Sequence, residues 1–389
     1  MLRAGKTGQE LCVESIEAVS PTLVEKLYAC KLQAGLSRVK GANRFVLGNP
    51  KAWLGTAYHE VLATAGGYSG GDLEAVLSAA WDEAINREHQ RAKNHPLDKR
   101  FGEPETWPGY HLVAAMARIR AQELVEARQD SPERRPIPEP TALANHREHK
   151  FSGAGGRIVG RPDVVRHYEI IDFKSGNIYD SSAREQIKRS CVRQLKLYAF
   201  LVNESLGWWP RRAILAPMVG LPVEIDIDPR ACEKEAHEAV RLLNDYNTLV
   251  SRHADISQFS NPSPEACQWC PFQSICPCFW DAVEPSWLDL GSAAIRGIIC
   301  EAPKSLYHEN TVFLAIEVQG GTERQKVAEI SSLSTAIQLD RNSLMRGDEV
   351  RITGLSRRSD GTVYVTLRTV LARVQNLPSI EVVGEKSGE

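Results

Sequence analysis

The sequence predicts a chain of two parts: an α/β domain whose first half is largely helical, and an all-β unit near the C-terminal end. Three patterns lead to this. Apolar residues recur at helical spacing through most of 20–130, strand-length apolar runs alternate with helical stretches from about 143 to 252, and residues 300–374 carry alternating runs with almost no helical period. With 389 residues, 42% hydrophobic and 25% charged, the chain has the makeup of an ordinary globular protein large enough for two or more domains.

Residues 1–19 are a polar lead-in, after which Ser20 and Pro21 form a helix start leading to Cys30. The helical pattern is interrupted at Gly66-Gly67 and Gly70-Gly71, and it ends at 131–140, where repeated prolines remove amide donors and crowd the preceding turn. Strands are expected at 148–151, 157–165 and 169–174, a helix at 184–206, strands at 213–218 and 223–227, and a helix at 230–252 that leads into a cysteine-bearing loop. Beyond it, strands at 311–318, 326–332, 336–339, 349–355 and 362–374, with a turn at Ser359-Asp360-Gly361, point to an OB-like barrel. Residues 375–389 are polar and expected to be disordered.

A net charge of −2 and a pI near 6.6 give no overall nucleic-acid signature, so any such contact must come from a local groove or a bound metal. No apolar run approaches the roughly 20 residues that cross a bilayer, and no export signal is evident. A cytoplasmic location without membrane partners is expected.

The chemistry concentrates around Ile170-Ile171-Asp172-Phe173-Lys174. Strand side chains alternate, so Asp172 and Lys174 emerge together on the face opposite Ile171 and Phe173. Alone, this is more often a surface ion pair. Gly160-Arg161-Pro162-Asp163 adds a second carboxylate, which an antiparallel hairpin would bring near Asp172. Two adjoining carboxylates repel unless a cation lies between them, and a few hard oxygen ligands suit Mg²⁺ or Mn²⁺. His59 and Glu60 lie beside the apolar stripe Leu54, Ala57, Tyr58, Val61 and Leu62, while Gln194 and Tyr198 share one face of a later helix.

Of the nine cysteines, Cys267, Cys270 and Cys276 fall in one short proline-bearing loop. In a reducing compartment, thiols this close share a metal more often than they form disulfides. Cys278 and the distant Cys30 compete for the fourth place, and spacing alone allows zinc as well as an iron–sulfur cluster. Cys12, Cys191, Cys232 and Cys300 are isolated and read as small buried apolar residues.

In order and spacing these fragments resemble the PD-(D/E)xK nuclease superfamily, specifically its RecB-like branch, over a domain of 20–285. The branch carries Gly-x-x-x-His, Gly-x-x-Asp, Asp-x-Lys and Gln-x-x-x-Tyr motifs, matched here by Gly55 with His59, Gly160 with Asp163, Asp172 with Lys174, and Gln194 with Tyr198. The resemblance implies a restriction-endonuclease-like α/β core. It also implies that His59, Asp163, Asp172 and the Phe173 carbonyl hold Mg²⁺ or Mn²⁺, that Lys174 positions or activates the attacking water, and that Gln194 and Tyr198 contact the substrate strand. Iron–sulfur members, of the AddB type and among CRISPR adaptation nucleases, have one cysteine before the core and three after it. That pattern assigns Cys30, Cys267, Cys270 and Cys276 to a [4Fe-4S] clip, with zinc the alternative.

The implied activity is a metal-dependent DNA nuclease, an exonuclease on ends or single strands, serving repair, recombination or antiphage defence beside a helicase or another subunit. No Walker-type loop is present, so strand separation falls to a partner. The rival is a non-catalytic DNA-binding scaffold, against which the intact Asp163, Asp172 and Lys174 argue. In the β unit, Arg351, Arg357, Arg358, Arg368 and Tyr364 are either strand contacts or a solvated face.

Overall fold

Local chemistry starts the first helix where the sequence places it, whereas the helix expected from 184 begins at Arg189. In the computed structural model of the protein, the Ser20 hydroxyl accepts from the Leu23 N–H at 3.3 Å and Pro21 occupies the first turn of α1, Pro21–Ala29. The structure describes residues 10–129, 146–147, 149–166, 168–180, 186–287, 292–301, 304–305, 311–334, 344–359 and 362–384. Within the expected lead-in, Glu10–Val13 forms a strand, β1. After α1 come α2, Lys31–Leu36, and three long helices, α3, Pro50–Gly67, α4, Leu73–Asn94, and α5, Tyr110–Gln129. Asn49 and Asp72 cap α3 and α4 by accepting from Lys51 N and Ala75 N, which satisfies donors the first helical turn leaves free.

The central sheet follows. Its early strands are β2, His146–Arg147, β3, Phe151–Gly153, β4, Ile158–Gly160, β5, Val164–Arg166, and β6, Glu169–Lys174. The single strand expected over 157–165 is therefore two, broken at Arg161-Pro162-Asp163, where Pro162 has no amide to donate to a ladder. Next are α6, Arg189–Leu206, β7, Arg212–Pro217, β8, Val223–Ile225, and α7, Pro229–Ser251. The strand order is β2-β5-β6-β7-β8, with β6 antiparallel to β5 and parallel to β7. Central β6 is buried on both faces. Ile170 joins the core formed with α6 and α7, while Ile171 and Phe173 join the core beneath α3, α4 and α5.

Two short helices, α8, Pro264–Cys267, and α9, Pro277–Ala282, bracket the cysteine loop. The C-terminal part is a nearly closed antiparallel sheet of β9, Ala293–Ile299, β10, Lys304–Ser305, β11, Thr311–Gly321, β12, Val327–Ser334, β13, Glu349–Arg357, β14, Val363–Tyr364, and β15, Val370–Arg373. It has seven described strands where the sequence led to five. The unanticipated β9 lies between β11 and β13. Gly297 hides it from a pattern search, yet that glycine is needed, because a Cβ there would sit 2.1 Å from the Glu317 carbonyl. The expected run 362–374 divides into β14 and β15, and the strand at 336–339 and the proline-rich 131–140 lie outside the described residues.

A further correction concerns the tail. Ser379–Val382, expected to be disordered, forms β16 and pairs in parallel with β1, Leu11 opposite Ile380 and Val13 opposite Val382. Leu11 and Val13 are fully buried in the α6/α7 core, so the two ends of the chain close one surface of it together. Among the described residues no helix is long and apolar enough to cross a membrane.

Candidate active site and cysteine pocket

The catalytic candidates gather at the C-terminal end of β6. Asp172 is 2% exposed, and its carboxylate faces Lys174, whose Nζ lies 2.7 Å from Oδ2. The approach is close enough for an ion pair but badly directed for a hydrogen bond, so this buried oxygen has no aligned donor. Gln194, on α6, joins the two ends of the pair. Its Oε1 accepts from Lys174 Nζ at 2.6 Å, and its Nε2 donates to Asp172 Oδ1 at 3.3 Å and to the Tyr198 hydroxyl at 2.9 Å. The i, i+4 spacing on α6 thus serves to hold the strand pair in place.

Asp163 stands just ahead of β5. Its Oδ2 accepts from the Phe173 N–H at 2.5 Å, and its Oδ1 lies 3.3 Å from His59 Nδ1 on α3. Phe173 thus ties Asp163 to β6 through its amide. Burial pushes the Asp172 carboxyl up to about 6, Lys174 opposes that rise, and the Asp163 charge adds to it. A buried carboxylate with an undirected oxygen beside a second carboxylate suits a hard divalent cation. Among the described residues, however, no three His, Cys, Asp or Glu side chains stand as a ready-made single-ion site. His59 and Phe173 N–H contact the two oxygens of Asp163, and Gln194 donates to Asp172 Oδ1, while Oδ2 meets Lys174 without a directed hydrogen bond.

Two motif glycines have a steric reason. A Cβ on Gly55 would lie 2.6 Å from Ser175 Oγ, so its absence lets α3 rest against the end of β6 and brings His59 to Asp163. A Cβ on Gly160 would lie 2.8 Å from both Leu201 Cδ1 and Tyr198 Cε1, so this glycine lets α6 close on the sheet. Tyr58 was not singled out from the apolar stripe. It is fully buried, its hydroxyl has no partner among the described residues, and burial pushes it up to about 12 despite Arg120, with Asp163 adding to the rise. Its neighbour His59 was the available signal.

The second gathering is of thiols. Cys30, Cys267, Cys270, Cys276 and Cys278 line one apolar cavity together with Leu32, Phe272 and Phe279. Backbone contacts zip the loop to the α1/α2 junction: Leu32 N–H donates to the Phe259 carbonyl at 2.8 Å, and the Cys30 thiol points to the same carbonyl at 3.8 Å. Gln273 Nε2 donates to Cys267 O at 2.6 Å and closes the loop on itself. Burial raises Cys267, and raises Cys270 to about 12; Cys276 is raised chiefly by its contact with Cys278, which is itself lowered to about 6. Isolated Cys191 and Cys232 are buried core residues, while Cys12 and Cys300 are half-buried.

A sequence profile described as the PD-(D/E)XK nuclease superfamily matches residues 18–277. No curated protein matches the chain. Among solved structures, a protein named SSO0001 is similar at 17% identity and a TM-score of 0.22, over 44% of this chain and 79% of its own. A Eubacterium rectale protein, named as a candidate exonuclease, is similar at 14% identity and a TM-score of 0.34, over 59% of this chain and 82% of its own. Likenesses of that degree carry no conclusion about activity.

Proposed function

Because the chain belongs to the PD-(D/E)XK nuclease superfamily, whose members are generally metal-dependent phosphodiesterases, we propose that it is a DNA nuclease of the RecB-like branch, acting on ends or single strands. The observation that carries this is the linkage of Asp163, Asp172, Lys174, Gln194 and His59 at the end of one strand by contacts between 2.5 and 3.3 Å. An ion pair that served stability alone would need neither the second carboxylate nor the histidine.

A divalent cation, Mg²⁺ or Mn²⁺, held by His59, Asp163, Asp172 and the Phe173 carbonyl would polarise a phosphoryl oxygen and make an attacking water more acidic. The chain's own groups do the rest. Asp172 and Gln194 hold the Lys174 ammonium at the rim of the site, where it lies beside the charge that develops on the phosphate and can orient the water. Tyr198 fixes the Gln194 amide, and the Phe173 N–H fixes Asp163.

The cysteine pocket is read as a [4Fe-4S] site with Cys30, Cys267, Cys270 and Cys276 as ligands and Cys278 as the alternative fourth. The convergence of these cysteines on one apolar cavity supports a shared metal group there, with a single zinc ion the alternative to the cluster. Such a clip would join α1 to the loop after α7 and brace a nuclease domain at 20–285 with the β unit behind it. A helicase or other repair or defence subunit is the proposed partner.

The test is cleavage of end-labelled single-stranded and duplex DNA in Mn²⁺ or Mg²⁺ by anaerobically purified protein beside Lys174→Ala. Cleavage by the parent alone supports the assignment, and the product ladder separates exonucleolytic from internal cutting. No cleavage by either protein in any metal would favour the scaffold.

A further inference from the structure

The arginines of the β unit fall into two sets. Arg357 is bound to buried Glu323 at 3.0 Å, and Arg351, lowered by burial, lies 5.6 Å from the ring of Trp280, which is itself 5% exposed. These side chains hold the structure together. Arg358 and Arg368 instead lie over aromatic rings at the surface. The Arg368 guanidinium is 5.1 Å from the ring centroid of Trp269, which is 67% exposed, and Arg358 is 5.3 Å from that of Tyr364, which is 40% exposed.

Trp269 lies between Cys267 and Cys270, and Tyr364 is four residues from Arg368, at most about 14 Å of extended chain. Leu367, between them in sequence, is 59% exposed. If the Trp269–Arg368 contact were only a clasp between the cysteine loop and the β unit, burying the ring would be favourable, as it is for nearby Trp280. With a guanidinium over one face, an exposed ring offers its opposite face for a base to stack on, and the arginine gives the phosphate a counter-charge.

We propose that Trp269 and Tyr364, each with its arginine, form a stacking platform for single-stranded nucleic acid across the cysteine loop and the β unit. Duplex DNA is a poor occupant, since its bases already stack on one another and show no free face. The platform rests on the nuclease reading for its substrate, and it makes strand affinity depend on the order of the cysteine loop that carries Trp269.

Fluorescence anisotropy with a labelled oligothymidylate and a duplex of equal length, on the full chain in EDTA so that nothing is cut, tests this. The parent should prefer the single strand. Trp269→Ala and Tyr364→Ala should each weaken single-strand binding about tenfold, whereas Trp269→Phe and Tyr364→Phe, which still stack, should stay within about twofold. Tyr364→Ala is remote in sequence from the cysteines, so its loss of affinity should come with an unchanged melting temperature and unchanged metal content. Strand-induced quenching of tryptophan emission should shrink in Trp269→Phe. Alanine variants that bind like a binding parent, or phenylalanine variants that fall as far as alanine, would overturn the platform and leave the nuclease reading intact. A parent that binds neither strand nor duplex would overturn both.

Discussion

The candidate active site and the cysteine pocket both bury groups that take negative charge, but they differ in what balances it. At the candidate site the chain supplies its own cation, with Lys174 2.7 Å from Asp172 and tied to Gln194 at 2.6 Å. In the pocket, burial and thiol–thiol contact hold Cys267, Cys270 and Cys276 towards the neutral form, and Lys26 contributes only a lesser through-space charge at Cys270. A site with an internal counter-ion can assemble before its metal arrives. In the pocket Cys278 is drawn towards the thiolate by its contact with Cys276, while the three raised thiols depend on an incoming iron or zinc to ionise.

The sharpest way to break this contrast is at Lys174. Removing the ammonium takes away charge stabilisation that is fixed in place before reaction, so Lys174→Ala should lower metal-dependent cleavage by about 100- to 1,000-fold. Circular dichroism should show the fold retained. Next is Cys270→Ser, which should release bound metal and lower stability by several kcal/mol, the order expected for undoing a clip across a long loop. Metal analysis beside thermal melts reads this directly. A variant that keeps both its metal and its melting temperature would show that the pocket stands unaided.

The pH response separates the two sites further. Asp172 holds its proton up to about pH 6 in the folded protein, against about 3.9 for an ordinary aspartate. Between those values the native state binds more protons than the unfolded chain. The contribution to stability is therefore complete below about pH 4 and is lost as pH rises through about 6, an effect of roughly 2–3 kcal/mol. Melting temperature against pH in EDTA should show this loss, Asp172→Ala should lack it, and Mn²⁺ at neutral pH should restore stability only when Asp172 is present. The smallest expected effect is steric. Gly160→Ala places a Cβ 2.8 Å from Tyr198 and Leu201 and should cost about 1–3 kcal/mol, with a parallel loss of activity as Tyr198 and Gln194 shift together.

Much of the candidate site is legible in the sequence because its parts are local. Asp172 and Lys174 share a strand face, Gln194 and Tyr198 share a helix face, and the motif glycines mark close packing, all of which follow from periods of two and 3.6. The long helices are legible for the same reason, and Ser20 caps the first of them as its sequence indicates, whereas the caps at Asn49 and Asp72 emerge only in the structure. The convergence of Cys30 with the 267–278 loop has no local signature beyond spacing, and it depended on resemblance.

The sequence by itself determined which side chains share a face and that a helix begins at Ser20-Pro21, since backbone geometry and capping chemistry fix both within a few residues. Tertiary structure alone decided the pairing of β1 with β16, the place of β9 between β11 and β13, and the exposure of Trp269 beside the burial of Trp280. Strands of four residues carry too few alternations to announce themselves, and their stability comes from partners hundreds of positions away. Whether a tryptophan is covered depends in the same way on which distant surface folds over it.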